Sequence, residues 1–239
     1  MAEEFEDRDL SDSVFWGVRL QRATFRDADL SGATFFHTLW SDVSIDGVVD
    51  RLVINGVDVT DHVNAHDRWY PLRNRLEPET ADGVRESWTT LRTEWDALIG
   101  EAVARGPEVL TRSVGGEWSL QDTLRHLVFA VDKWFSWPLL GERSFSVLGL
   151  PNTGSQGREW PGLDLTTEVS WEPVLASFLD RVGRVTAFVD ALDVAALPDA
   201  VEVLENGEVP ALMCLHVVLE ETFEHLRYTL RDLAATAAD

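Results

Sequence analysis

The chain has 239 residues, of which 45% are hydrophobic, and it includes ten tryptophans. This much apolar material can form a sizeable core, which excludes a disordered protein. The formal net charge of −22 excludes generic binding to nucleic acids, because so acidic a surface repels the phosphate backbone. The same charge is typical of a highly soluble protein.

Cysteine content and hydropathy indicate where the protein resides. The single cysteine, Cys214, excludes an internal disulfide framework and favours a reducing compartment. The residues after Met1 lack the basic and apolar stretches of a secretory signal. The longest nearly apolar run, residues 211–219, is too short to cross a bilayer. These features predict a soluble, cytoplasmic protein that does not contact a membrane.

The beginning of the chain carries a repeat of five residues. Small or β-branched residues stand two positions before the large apolar residue in the later units. A helix has a period of 3.6 and a strand a period of 2, so neither explains this spacing. The large apolar residues of the repeat are Phe5, Leu10, Phe15, Leu20, Phe25, Leu30, Phe35, Trp40 and Ile45.

A four-sided coil explains the repeat, if each unit forms one side with its large apolar and small residues directed inward. The segment resembles the pentapeptide-repeat family, and Ala28-Asp29-Leu30-Ser31-Gly32 matches the family pattern at every position. The resemblance implies a short right-handed quadrilateral β-helix with four units per turn. Glu3 and Arg8 depart from the pattern, because they place long charged side chains at inward positions.

The coil is short, and its length limits its role. Long pentapeptide-repeat proteins imitate duplex DNA and bind topoisomerases, but about two turns are too few, so we interpret the coil as a structural cap or docking platform. Units of a solenoid gain stability from their neighbours, so we expect the coil to dock on the rest of the chain. The repeat breaks at Asp50. Residues 52–59, with a turn at Asn55-Gly56, predict a closing strand or hairpin.

The remainder of the chain predicts helices. Residues 61–80 are polar and contain two prolines, which is typical of a linker. Pro138 is expected to end the second helix, and the loop over 138–168 favours a topology other than simple up-and-down. The apolar spacing predicts helices over about 81–104, 119–137, 170–192 and 210–235.

These elements define the predicted fold class, α+β. We expect a pentapeptide-repeat β-helix over residues 1–60, a linker over 61–80, and a four-helix bundle over 81–239. Loops as long as the one over 138–168 often line a functional site. The bundle is therefore where we look for chemistry.

Two predicted helices carry side chains that suit a metal ion. Glu221 and His225 are four residues apart on the last helix, so they project from one face about 6 Å apart along the axis. This spacing lets two side chains hold one ion, although many ordinary helix surfaces carry such a pair. His126 lies on the second helix, where a hydrogen-bonded core histidine is the alternative.

The other candidate ligands are excluded by position. His216 lies nine residues before His225, half a turn around the helix. Cys214 is too far from Glu221 along the axis and is interpreted as a core residue. The histidines interpreted as ordinary surface residues are His37, His62 and His66.

Two motifs extend the pattern around these residues. They are Trp118-Ser119-x-x-Asp122-x-x-x-His126-Leu127 and Glu220-Glu221-x-x-x-His225-x-Arg227-Tyr228. Both resemble the DinB (damage-inducible) superfamily of metal-binding four-helix proteins, and the resemblance covers about residues 80–239. In that family one histidine on the second helix and two ligands on the last helix hold a divalent ion.

By position, the resemblance implies that His126, Glu221 and His225 are the ligands. Many members use three histidines, whereas those with Glu at the middle position are similar to mycothiol-dependent isomerases and transferases of actinobacteria. Two imidazoles and one carboxylate leave coordination positions open, and zinc is the first expectation, with nickel and iron as alternatives. A bound metal lowers the pKa of a coordinated water or thiol.

Two main functions follow as hypotheses, besides the weaker one of a DNA mimic that protects a topoisomerase. The first is a metal-dependent enzyme, a thiol (mycothiol-type) transferase or isomerase or else a hydrolase, whose partner is a small-molecule thiol. The second is a non-catalytic metal-binding stress-response module that uses the repeat coil as a docking platform. Helical phase adds Asp122, Tyr228 and Asp232 as residues that could support the ligands, with caps or surface charges as the alternative. The oligomeric state stays open, with a homodimer among the alternatives.

Overall fold

A computed structural model describes residue 5 and residues 8–25 and 28–236. The chain divides between Gly47 and Val48 into two compact units. We call them the repeat unit and the helical unit. Glu3, which the sequence places inward in the first turn of the coil, lies outside the described residues.

Hydrogen-bonded turns recur in the repeat unit every ten residues, twice the period of the sequence repeat, and positive φ angles recur at five-residue spacing among the described residues. The amide of Ser13 donates to the carbonyl of Leu10 over 3.1 Å, and equivalent bonds close the turns 20–23 and 30–33. The third residue of such a turn takes a positive φ, as in a type II turn. Positive φ angles recur at Asp12, Gly17, Arg22, Gly32, His37 and Asp42.

The described residues of the repeat unit form turns and bends and contain no strand. The large apolar residues of the repeat are about half exposed, from 44% for Leu10 to 63% for Ile45. The structure thus contains the five-residue pattern in its positive φ angles, whereas the closed β-helix stays a prediction.

The helical unit opens with a hairpin. Strands β1 (Val53–Ile54) and β2 (Val57–Asp58) pair antiparallel, with Ile54 opposite Val57. Asn55 and Gly56 join them with φ angles of 51° and 83°. Two successive positive φ angles are characteristic of the type I′ turn, which suits the twist of a two-residue hairpin. The hairpin predicted over residues 52–59 is confirmed.

Residues 61–80, expected to be a linker, belong to the helical unit. They contain most of helix α1 (Thr60–His66) and all of α2 (Tyr70–Arg73). Leu72 and Leu76 are buried in the main core. The predicted boundaries therefore shift, because these two apolar side chains bind a polar segment to the bundle.

Six further helices follow along the chain: α3 (Ala81–Arg105), α4 (Pro107–Thr111), α5 (Leu120–Val131), α6 (Trp137–Leu140), α7 (Trp171–Asp190) and α8 (Ala211–Ala235). Apolar residues three or four apart on α3, from Val84 to Leu98, are buried.

Four long helical segments form the bundle. α3 packs against both α7 and α8, and α5 packs against the same two helices, so α3 and α5 lie diagonally across it. The sequence predicts a topology other than simple up-and-down, and this arrangement agrees, because α3 and α5 are consecutive long segments of the chain without being neighbours in the bundle.

The second long segment ends later than the sequence predicts. A π-helical turn (Asp132–Ser136) joins α5 to α6, and the amide of Trp137 donates to the carbonyl of Asp132, five residues back. The segment continues past Pro138 and ends at Leu140, before Gly141 in the left-handed conformation. Pro138 was predicted to stop the helix. It is accommodated because it lies in the first turn of α6, where a missing N–H costs little.

A second hairpin, absent from the sequence prediction, precedes the last helix. Strands β3 (Ala200–Glu202) and β4 (Glu208–Pro210) pair antiparallel, with Val201 opposite Val209. The strands are three residues long, so their alternation is too brief to be recognised in a sequence. The hairpin leads directly into α8.

The longest helices, α3 and α8, have 25 residues each. Charged side chains interrupt the apolar positions of both. Within the part of the chain that the structure describes, no helix combines the length and the apolar character needed to cross a membrane.

Candidate metal centre

Helix α5 presents His126 to the centre of the bundle. Its start is set by Ser119, whose Oγ accepts the amide of Asp122 over 3.2 Å and donates to the Asp122 carboxylate over 2.8 Å. Such a cap determines where the helix begins and therefore which face each later residue occupies. His126 then lies two turns into α5 and is 6% exposed.

Helix α8 brings Glu221 and His225 to the same point. The Nε2 atom of His126 lies 3.2 Å from Oε2 of Glu221, and Nε2 of His225 lies 3.4 Å from the same oxygen. The centroids of the two imidazole rings are 4.7 Å apart. One ligand atom from each residue lies within 4.8 Å of the others. The structure brings together the three residues that the sequence singled out.

The tautomer of His126 follows from its second ring nitrogen. Nδ1 lies 3.0 Å from the carbonyl oxygen of Leu150. A carbonyl accepts hydrogen bonds and cannot donate them, so Nδ1 carries the proton. In the neutral ring, Nε2 then presents a lone pair to the carboxylate of Glu221. A lone pair that faces an anion is unfavourable, so the contact needs either a proton on Nε2, which then donates to Glu221, or a metal cation between the two atoms.

Burial and charge shape the protonation of the cluster. Burial by itself would raise the pKa of Glu221, but hydrogen bonds and positive charge from His126 and His225 outweigh burial and lower that pKa. Burial lowers the pKa of His225, which favours the neutral imidazole that binds metals. An ionised carboxylate beside neutral imidazoles is a ligand set suited to a divalent ion.

The centre is open on one side and walled by aromatic rings on another. The Glu221 side chain is 33% exposed. The Trp118 ring lies 4.8 Å from that of His126 and stacks at 17° over that of His225, with centroids 6.0 Å apart. Phe129 and Tyr228 approach the imidazoles at 6.3 and 6.0 Å. Water or a small ligand can reach the carboxylate from the open side.

Comparison with family models assigns both units. Residues 104–229 match the model of the DinB superfamily, which is more than half of the chain. The chain belongs to the DinB superfamily. Residues 5–38 match eight copies of the pentapeptide repeat. Both family resemblances noted in the sequence are thereby confirmed. Comparisons with curated proteins and with solved structures found no match.

DinB superfamily domains typically bind metals. In this DinB domain His126, Glu221 and His225 could hold an ion together. Among the described residues they form the group of three or more potential ligands whose ligand atoms all lie within 4.8 Å of one another. The geometry thus indicates these three side chains, in a domain whose family typically binds metals.

Of the three residues predicted to support the ligands, Asp122 and Asp232 have other partners in the DinB domain, whereas Tyr228 contacts a ligand. Asp122 accepts from Arg125 over 3.1 Å besides its bonds to Ser119. Asp232 accepts from Arg231 over 2.8 Å. Tyr228 meets His225 edge-on. The orienting bond to His126 comes instead from Leu150, a backbone group that no side-chain pattern could reveal.

The other histidines of the helical unit are not part of the centre. Nε2 of His216 lies 3.1 Å from the carbonyl of Pro78, so this side chain points away, as predicted. His62 and His66 are exposed and lie side by side on α1, with ring centroids 4.4 Å apart. His37 is exposed and stacks on Phe36.

Cys214 is a core residue of the DinB domain, as the sequence suggested. It is fully buried, and burial raises the pKa of its thiol to about 11. A thiol with so high a pKa is neither a good nucleophile nor a metal ligand at neutral pH.

The long loop between α6 and α7 contributes to the centre without closing it. Leu150 lies in this loop and bonds His126. A second apolar cluster of Phe129, Phe145 and Trp160 lies between the loop and α5. Because Glu221 keeps a third of its side-chain surface exposed, the loop lines the site rather than sealing it.

Proposed function

We propose that the DinB domain holds one divalent metal ion through Nε2 of His126, a carboxylate oxygen of Glu221 and Nε2 of His225. The observation that carries the proposal is the orientation of His126. Because Leu150 occupies its Nδ1–H, the Nε2 lone pair faces the carboxylate, an arrangement that a cation stabilises. Zinc is the first choice for two imidazoles and a carboxylate, with nickel and iron as alternatives.

We further propose that the centre is catalytic and acts on a small-molecule thiol, as a transferase or isomerase. Three protein ligands leave coordination positions open, which is characteristic of catalytic rather than structural metals. When bound, the metal would supply Lewis acidity and lower the pKa of a water or thiol at the open position. The exposed part of Glu221 marks the side from which such a ligand would enter.

The chain's own residues prepare this chemistry. Leu150 holds one imidazole in a single tautomer. Trp118 packs against both imidazoles and restricts their movement. Tyr228 places its ring edge-on to His225 and limits rotation of that imidazole. The ligand atoms are therefore held in place before an ion arrives, which reduces the entropy cost of binding.

Elemental analysis of the purified protein, followed by zinc titration against a chromogenic chelator, tests the metal site. We expect one zinc per chain, and His126→Ala or His225→Ala is expected to abolish stoichiometric binding. His216→Ala is the matched control, because it removes a histidine from the same helix but outside the centre. The titration is repeated in a His62→Ala, His66→Ala background, which removes the exposed pair that could bind metal adventitiously.

Metal retained at one equivalent after loss of both His126 and His225 would contradict the proposal. Catalysis is tested separately. The zinc-loaded protein is screened by thermal shift against low-molecular-weight thiols and then assayed with thiols and small electrophiles. A thiol that raises Tm in the wild type but not in the His225→Ala variant supports the enzyme. Zinc binding without any thiol response favours the non-catalytic module.

We also infer that residues 5–47 close into the right-handed quadrilateral coil of pentapeptide repeats. Support comes from the eight repeat copies, from hydrogen-bonded turns at ten-residue spacing and from positive φ angles at five-residue spacing. A matched pair of variants tests the inference: Leu30→Asp at an inward position should increase proteolysis of the repeat unit, whereas Ser31→Asp at an outward position should not. Equal effects would contradict the coil. The cysteine usage supports a cytoplasmic protein, and the acidic surface supports partners other than nucleic acids.

A further inference from the structure

The loop after α6 is fastened to α5 and to the π-helical turn at alternate residues. The amide of Ser146 donates to Oδ2 of Asp132 over 2.7 Å. Nε of Arg125 donates to the carbonyl of Leu148 over 3.1 Å. The amide of Leu150 then donates to the carbonyl of Arg125 over 3.1 Å. Residues 146–150 therefore lie along the helix in a defined register.

The anchors of this segment are buried and charged. Asp132 is 2% exposed, and its carboxylate accepts from Nε and Nη2 of Arg181 over 3.1 and 3.2 Å. Arg125 is 8% exposed, and its Nη1 donates to Asp122. Hydrogen bonds to charged groups are stronger than those between neutral groups, and burial protects them from competition by water. The segment is thus held by interactions that resist thermal opening.

Close packing within the loop surrounds Gly149. A methyl group at this position would lie 3.2 Å from the Leu163 side chain, 3.3 Å from the Ser146 carbonyl and 3.4 Å from Cβ of Phe129. The first two distances are tighter than ordinary contacts and the third is an ordinary one, so the tight packing at Gly149 lies within the loop itself. A methyl group here would press on the Ser146 carbonyl, a backbone group of the segment that carries Leu150.

The last bond of this chain reaches the metal ligand. The Leu150 carbonyl accepts the Nδ1–H of His126. We propose that residues 146–150 form a latch that sets the tautomer and ring orientation of His126, with Arg125 as its positioning residue. This inference rests on the proposed metal site for its purpose, but the tautomer itself is a property of the metal-free protein.

The latch and the metal are coupled through His126. If a docked latch directs Nε2 at the metal position, it strengthens metal binding, and by thermodynamic reciprocity bound metal strengthens docking by the same factor. Removing the hydrogen-bond partner of a metal-binding histidine commonly lowers the affinity for the metal by about 10- to 100-fold. Residues 146–150 would then dock more firmly on α5 whenever the centre holds a metal ion.

The tautomer is tested first, on metal-free protein. Long-range ¹H–¹⁵N correlation spectra distinguish a protonated Nδ1 from a protonated Nε2. We expect wild-type His126 to carry its proton on Nδ1, and Arg125→Leu to give a mixture of tautomers. Arg143→Leu is the control, because Arg143 is an exposed arginine of the same loop that contacts Trp137 instead of the latch.

Zinc affinity is the second readout. We expect Arg125→Leu to raise the Kd for zinc about tenfold and Arg143→Leu to leave it within about twofold. Failure of the wild-type protein to bind zinc would contradict the proposed function. The spectra of the metal-free protein would still show whether residues 146–150 set the tautomer of His126. The two failures are therefore distinguishable.

Gly149→Ala tests the latch without removing a charged group, should Arg125→Leu fail to fold. We expect it to raise the zinc Kd in the same direction and to accelerate hydrogen exchange at the Leu150 amide. In wild-type protein, zinc should slow that exchange. The proposal is overturned if a folded variant, Arg125→Leu or Gly149→Ala, behaves like the wild type. Its His126 would then keep a single Nδ1–H tautomer, and its zinc affinity and its hydrogen exchange at the Leu150 amide would be unchanged.

Discussion

At the residue scale, Glu221 shows a conflict between stability and function. Its carboxylate lies between two imidazole nitrogens, and one of them presents a lone pair. Without a proton on that nitrogen or a metal cation this contact is unfavourable, and the surroundings must hold it in place. Sites of this kind store free energy that a ligand recovers on binding.

Glu221→Gln tests this conflict. The amide of glutamine can donate to Nε2 of His126, so we expect the metal-free variant to be at least as stable as the wild type. The same change should weaken zinc binding by more than about 100-fold, because a neutral amide is a poor ligand. Thermal melts with and without zinc measure both effects.

Glu220→Gln is the matched control for this change. Glu220 is the exposed neighbour of Glu221, and its removal should leave the zinc-dependent rise in Tm intact. A loss of metal-free stability in Glu221→Gln, together with unchanged zinc affinity, would show that the carboxylate has a structural role alone.

Cys214 provides a second prediction at this scale. Burial raises the pKa of its thiol from the usual 9.0 to about 11, so the unfolded chain loses this proton first as pH rises. Stability should therefore be full below pH 9 and fall between pH 9 and 11, by about 1.4 kcal/mol per pH unit at most.

Urea unfolding at several pH values, with Cys214→Ala as the control, measures this slope. Because the chain has one cysteine, labelling by a thiol reagent gives an independent readout. The folded protein should react at pH 8 far more slowly than the protein in urea. Rapid labelling of the folded protein would mean that the thiol is accessible.

At the element scale, the π-helical turn determines how the bundle and its loop meet. The turn shifts the hydrogen-bond register before α6 and places the Asp132 carboxylate between Arg181 of α7 and the amide of Ser146. π-helical turns often occur at functional sites, where they redirect side chains. Here the Asp132 side chain connects the π-helical turn to α7, through Arg181, and to the loop, through Ser146.

Asp132→Asn should therefore destabilise the DinB domain. Removing the buried charge of Asp132 leaves Arg181 paired only with the exposed Asp180, which compensates it weakly, at a cost of about 3 kcal/mol. Asp180→Asn is the matched control, because Asp180 contacts the same Arg181 from an exposed position, and its loss should cost less than about 1 kcal/mol. Urea denaturation followed by tryptophan fluorescence compares the two variants. Equal costs would show that burial of Asp132 does not strengthen the pair.

At the scale of the whole molecule, the two units differ in what stabilises them. The main core, from Leu72 to Leu233, lies entirely within the helical unit. The described residues 8–25 and 28–47 of the repeat unit are all exposed. Buried apolar surface supplies most of the free energy of folding, so the helical unit has the means to fold by itself.

A fragment of residues 48–239 should therefore fold and bind zinc with wild-type affinity. We expect its Tm to lie within a few degrees of that of the full chain, whereas a fragment of residues 1–47 should show no cooperative unfolding. Calorimetry and zinc titration of the two fragments check this. A large loss of stability in the longer fragment would show that the repeat unit stabilises the DinB domain.

Much of the fold was readable from the sequence, because its signals are local. The N-cap Ser119, the spacing of apolar residues on α3 and the Asn55-Gly56 turn each act within a few residues, and each appears in the structure. The π-helical turn and the helices in residues 61–80 were missed. Their formation depends on partners distant in sequence, such as Arg181 and the core around Leu72.

The sequence by itself determined the candidate metal ligands, because helical periodicity and the family pattern place His126, Glu221 and His225 on faces that can meet. Only the tertiary structure decided how they meet. The tautomer of His126 depends on the Leu150 carbonyl, a backbone atom of a loop, and every residue type carries such an atom. Periodicity reports which side chains share a face, whereas the bond that orients a ring arises when distant backbone and side chain are packed together.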